Sequence, residues 1–139
     1  MAKVNCYLAF NGTCEAAFNF YKSVFGSEFS YIGYYKDMPC DSPIPEENQN
    51  LVMHICLPIS AETKLLGCDV TQGYISGNNV SIAITPESED DALRIFNALS
   101  EGGTVIMPME KTFWNSLFGM FTDKFGITWL VDYGLDCKG

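Results

Sequence analysis

An internal repeat constrains this 139-residue chain more than any single motif in it. Tyr7-Leu8-Ala9-Phe10 is followed by a polar turn and then by apolar residues at Ala17, Phe20, Tyr21 and Val24. Ser81-Ile82-Ala83-Ile84, a second polar turn, and Ala92, Ile95, Phe96 and Leu99 say the same thing again. The strands are offset by 74 positions (Ala9 to Ala83) and the helix faces by 75 (Ala17 to Ala92), a one-residue adjustment. The spacing i, i+3, i+4, i+7 is that of a helix with one buried face, and its recurrence predicts two like modules. Such modules usually pair about a pseudo-twofold axis and enclose a cleft.

The rest of each half supports the same plan. Val4–Phe10 reads as the first strand, and Asn11 or Thr13 as the cap of a helix that runs to about Phe25 and stops at Gly26. Phe29–Tyr35, Leu51–Ile59 and Thr63–Cys68 read as strands, with a proline-rich, acidic loop at 37–50 that is long enough to act as a lid. In the second half, Ser88 and Asp91 resemble a capping box at the start of a helix ending near Ser100. Thr104–Met109, Leu117–Thr122 and Ile127–Tyr133 are its further strands. The chain is therefore one domain, with module one at about 1–69, a linker at about 70–78 and module two at about 79–139. The class is α+β: two βαβββ modules, each a curved mixed sheet, mostly antiparallel, with one helix, arranged around a cleft.

Composition narrows the function classes. Hydrophobic residues are 47% and charged residues 18%, so the chain can build a core. No apolar run reaches a membrane span, and residues 1–10 lack a signal-peptide layout, so a cytoplasmic location is expected. A net charge of −9 would repel phosphates, which argues against nucleic acid and leaves room for a cationic small molecule. The six cysteines form no C-x-x-C pair, so reduced thiols packed as small hydrophobes are expected. Cys40 and Cys137, in polar surroundings, are the candidates for a reactive thiol.

At the level of motifs, YLAFNGTCEAAFNFYKSVFG at 7–26, GNNVSIAI at 77–84 and LSEGGTVIMPMEKTFWNSLFGMFTDKFGITWLVDY at 99–133 resemble the PhnB-like branch of the vicinal-oxygen-chelate superfamily. That superfamily includes glyoxalase I, extradiol dioxygenases and the bleomycin- and fosfomycin-resistance proteins; the branch is often labelled 3-demethylubiquinone methyltransferase. The resemblance covers nearly the whole chain and implies the glyoxalase fold and a homodimer. The methyltransferase label fits the residues poorly. A methyl donor is usually held by a Gly-rich turn in a parallel α/β sheet, whereas the turn here is Asn11-Gly12-Thr13 with no βαβ crossover.

In metal-using members, His, Glu or Gln side chains from the first and last strands of each module hold a divalent ion. The matching positions here fall near Asn5 or Tyr7, Asn79 or Ser81, Leu66 to Asp69, and Trp129 to Val131, and none is His or Glu. Asp69 and Asp132 are the nearest carboxylates. No metal site and no cofactor are therefore expected, although a divalent ion on a non-standard set is the alternative.

The single histidine, His54, is the catalytic candidate, as a general base or lone ligand; the plainer reading is a hydrogen-bonded, partly buried strand histidine. Strict alternation puts it on one face with Val52 and Cys56. Tyr7, Tyr31, Asn79, Ser81, Trp114 and Trp129 are the ligand-binding candidates. For Trp114 with Phe113 the alternative is a plug or dimer contact, for Trp129 a core position, and for Asn79 a strand start. Asp123 reads as a turn former rather than a catalyst. The leading expectation is a small-molecule site in the cleft, used for binding or metal-independent chemistry. A metal-dependent lyase, isomerase or dioxygenase is one rival; a drug-sequestering resistance-type protein is the other.

Overall fold

The structure, a computed structural model, describes residues 2–37, 43–77 and 79–135. Two compact units emerge, Met1–Ile75 and Ser76–Gly139. Each holds a four-stranded mixed sheet and one α-helix, the α+β architecture of two βαβββ modules. Among the described residues, no helix is long and apolar enough to cross a membrane. Cys40, Cys137 and Asn78, and residues 38–42 of the long loop, lie outside the described residues.

Unit one contains β1 (Cys6–Phe10), α1 (Cys14–Phe25), β2 (Tyr31–Tyr34), β3 (Val52–Pro58) and β4 (Lys64–Asp69). The sheet order is β1-β4-β3-β2, with β1 parallel to β4 and the other pairs antiparallel. Helix α1 buries Cys14, Ala17, Phe18, Tyr21 and Val24 on the sheet. Phe18 rather than Phe20 completes that face, because Gly67 leaves room for it. A Cβ on Gly67 would sit 2.7 Å from the Phe18 ring and 2.9 Å from the Leu8 carbonyl oxygen.

The start of α1 is held by a residue that local sequence does not reveal. Thr13 is the N-cap, but its side chain makes no capping bond. Instead, Asp69 at the end of β4 accepts the Gly12 and Cys14 N–H groups on Oδ1, each at 2.9 Å, and the Val52 N–H on Oδ2 at 3.0 Å. The expected caps Asn11 and Thr13 are thus replaced by a carboxylate 55 residues away from Cys14 in sequence. At 2% exposure, Asp69 satisfies helix-terminal donors that the core would otherwise leave unpaired. The helix stops as its sequence predicts, at Gly26 with φ 71°.

Unit two contains β5 (Ile82–Ile84), α2 (Glu89–Ser100), β6 (Thr104–Lys111), β7 (Ser116–Thr122) and β8 (Thr128–Gly134), in the order β5-β8-β7-β6. The sole parallel pair of this sheet is β5 with β8. Ala92, Ile95, Phe96 and Leu99 are the buried face of α2. Ser88 Oγ accepts the Asp91 N–H at 3.0 Å, the first half of a capping box, while Asp91 Oδ2 accepts the Glu87 N–H at 3.2 Å, one residue before the cap.

Candidate functional site

One face of the first sheet packs on α1; the other carries three of the candidate residues. Register fixes which residues share that helix-free face. Gly67 points at α1, so its neighbours Leu66 and Cys68 point away, and with them Tyr7 and Ala9 of β1 and Cys56 of β3. Tyr31 pairs with Cys56, and Gly33 with His54, which places both on the same face. A bulge opposite Gly33 and Tyr34 then breaks the alternation. Val52, expected beside His54, is fully buried as a result, while His54 is half-buried.

Three of the expected site residues meet here. The Tyr7 hydroxyl lies 3.2 Å from His54 Nδ1. The rings of Tyr7 and Tyr31 each stand 5.8 Å from the imidazole, tilted by 35° and 45°. Burial pushes the Tyr7 phenol up to about 12, and the adjacent Cys68 thiol adds to the shift. Half of Tyr7 is nonetheless open, at 53% exposure. The phenol keeps its proton at neutral pH and can donate it to Nδ1. The imidazole proton then sits on Nε2, turned away from Tyr7.

Gly33 makes the cluster possible. A Cβ there would lie 2.5 Å from the Tyr31 hydroxyl and 3.0 Å from its ring carbons, so the Tyr31 ring lies flat across this glycine beside His54. Sequence reading missed Gly33; its place between Ile32 and Tyr34 in a strand was the available signal.

The remaining candidates lie elsewhere. Asn79 and Ser81 are exposed and precede β5. Trp114 is half exposed in the β6–β7 hairpin, edge-on to Phe113 at 5.0 Å and to Phe118 at 5.9 Å. Trp129 is a correction to the candidate set: it is 1% exposed, and its indole N–H donates to Asp123 Oδ2 at 2.8 Å, so it is core. Asp123 also accepts the Phe125 and Ile127 N–H groups and so organises the β7–β8 turn.

The repeat is symmetric in scaffold and asymmetric in chemistry. Ala9 pairs with Cys68 and Ala83 with Leu130, while Ile55 pairs with Gly67 and Phe121 with Trp129. Tyr7, His54 and Cys68 therefore correspond to Ser81, Met120 and Leu130. Only unit one carries the polar cluster.

These positions do not suit a divalent metal. Among the described residues, no three His, Cys, Asp or Glu side chains converge as ligands, and the lone pairs of Asp69 are engaged by backbone N–H groups. Cys14, beside Asp69, is a buried thiol pushed far up by desolvation and then by the Asp69 charge, an inert packing group.

Residues 3–131 match the Glyoxalase/Bleomycin resistance protein/Dioxygenase superfamily. The chain belongs to this family. It is 25% identical over 134 residues to protein YjdN of Escherichia coli strain K12, with 91% of each chain covered. Its fold is similar to that of protein PA1353 from Pseudomonas aeruginosa, at TM-score 0.84 and 35% identity over 96% of this chain and 98% of that one. A Bacillus cereus PhnB protein, described as a putative 3-demethylubiquinone-9 3-methyltransferase, matches at TM-score 0.78 and 26% identity, covering 96% and 100%. The PhnB-like resemblance read from the motifs is thus shown.

Proposed function

We propose that this PhnB-like glyoxalase-fold protein binds a small molecule on the helix-free face of its first sheet, without the metal centre of its metal-using relatives. The single observation that carries this reading is the Tyr7–His54–Tyr31 cluster, in which an imidazole stands between two half-exposed tyrosines. Two aromatic rings offer stacking area, and His54 Nε2–H offers one donor. That combination selects a planar group bearing a hydrogen-bond acceptor, such as a conjugated carbonyl.

The methyltransferase description of the Bacillus cereus relative is not carried over. The turn after β1, Asn11-Gly12-Thr13, has one glycine and is not the Gly-rich turn that usually holds a methyl donor.

Because the chain has one histidine, its imidazole resonances report on the site without ambiguity. Titration with acetophenone, a neutral planar ketone, should shift the His54 signals saturably. Tyr31→Ala should weaken that response at least tenfold. A response that does not saturate, or one unchanged in Tyr31→Ala, refutes the reading. A stoichiometric Zn²⁺, Mn²⁺ or Ni²⁺ held by His54 and further side chains would overturn its metal-free part.

A further inference from the structure

Tyr7 reaches His54 only by crossing β4, which lies between β1 and β3. The β4 residues on that face are Leu66 and Cys68, so the phenol passes over a thiol on its way to the imidazole. On the β1 side Cys68 pairs with Ala9, a small neighbour that leaves the sulfur room. On the β3 side it stands one step beyond the Ile55–Gly67 pair, level with His54. The thiol lies against the Tyr7 hydroxyl and helps to raise the phenol. Thiol, phenol and imidazole are thus one contiguous set, beside the ring of Tyr31.

The other described cysteines lack this setting. Cys14 and Cys56 are buried, and Cys6 pairs with Leu65 and so falls on the α1 side, away from the chain's one histidine. Cys68 is partly exposed on the open face. A thiolate, not a thiol, is the nucleophile, and a neighbouring base that removes the proton activates it. The Tyr7 hydroxyl is placed to take the Sγ proton while it passes its own to His54 Nδ1. That leaves a thiolate beside an imidazolium whose Nε2–H is turned away from Tyr7.

We propose that Cys68 is a nucleophile that adds covalently to an α,β-unsaturated carbonyl compound bound on the Tyr7–His54–Tyr31 surface. This rests on the small-molecule reading of that surface and names its substrate class. Sγ bonds to the β-carbon, and the C=C electron pair moves to give an enolate whose oxygen is held by Nε2–H. The proton that left Sγ returns from the imidazolium to the α-carbon. S–H has then added across C=C, and no oxidant, reductant or further reactant is consumed.

The probe is benzylideneacetone, a planar conjugated ketone, and mass spectrometry of the digested protein reads its addition at each cysteine. Cys6, partly exposed on the opposite face, is the internal control. Cys68 should be labelled with saturating kinetics and at least about tenfold faster than Cys6, and acetophenone should slow it. Tyr7→Phe keeps the ring and removes the relay, so the maximal rate should fall at least about tenfold while the half-saturating concentration stays within about twofold. If Tyr7→Phe does not fold, His54→Gln, with the same expected fall in maximal rate, decides. Labelling linear in reagent, a rate at Cys68 no greater than at Cys6, or an unchanged maximal rate in the folded variant overturns the proposal. If acetophenone still shifts the His54 signals saturably, such a result removes the thiol step alone; if it does not, the binding reading falls as well.

Discussion

Replacing Asp69 by Asn tests the physical account of unit one most sharply. The substitution keeps the shape of the side chain and changes one oxygen to an NH₂ group. The amide oxygen can still accept from the Gly12 and Cys14 N–H groups, but the NH₂ then confronts the Val52 N–H, donor against donor. One charge-assisted bond is lost, at ~1.5–3 kcal/mol, and a buried donor left unpaired adds ~1–3 kcal/mol. The expected loss is about 3–5 kcal/mol, which for a chain of this size lowers the melting temperature by roughly 10 °C or more. Urea and thermal unfolding of the purified protein measure it. Thr13→Ala is the control: its side chain makes no capping bond, so a change within about 0.5 kcal/mol is expected. A loss under about 1 kcal/mol for Asp69→Asn, or an equal loss for Thr13→Ala, would show that the helix start is not held from β4.

Other outcomes follow from the same geometry. The Tyr7 phenol is raised in the folded chain, so its contribution to stability is present below pH 10 and is lost as pH rises toward 12. Tyr7→Phe should flatten that alkaline decline and remove one raised step from the tyrosinate absorbance; an unchanged profile would contradict it. Gly33→Ala should push the Tyr31 ring off His54, visible as a changed ring-current shift of the imidazole. Unchanged His54 resonances would mean that Gly33 does not position Tyr31. Trp129→Phe removes the indole N–H that donates to Asp123 Oδ2 and should cost about 2–3 kcal/mol in thermal unfolding, against a refuting value near zero. The homodimer implied by the family resemblance has a suitable surface in β6, where Val105, Ile106 and Met107 are each about half exposed on an edge strand. Elution as a dimer is expected, and elution as a monomer would remove it.

The chain's periodicity was enough to place most elements. The α2 face is the one its spacing predicts, because a single apolar stripe was available to bury. In α1 aromatics lie on both sides of the stripe, and Gly67, far away in sequence, decides that Phe18 goes inside. Strand ends moved for similar reasons. Val4 and Ser81 fit the β pattern, but β1 and β5 begin only at Cys6 and Ile82, where parallel pairing with Leu65 of β4 and Trp129 of β8 starts.

The candidate site was legible as a set of residue types and not as an arrangement. The absence of His and Glu from the first and last strands could be read directly, because it concerns identity at countable positions. What brings Tyr7 to His54, 47 residues on, is the insertion of β4 between β1 and β3. What lays Tyr31 beside them is the missing side chain at Gly33. Sequence alone therefore determined the repeat, the helices and the family, all set by local spacing and composition. The partners of Asp69 and His54 were decided only by strand order and register, since those set which distant side chains share a face.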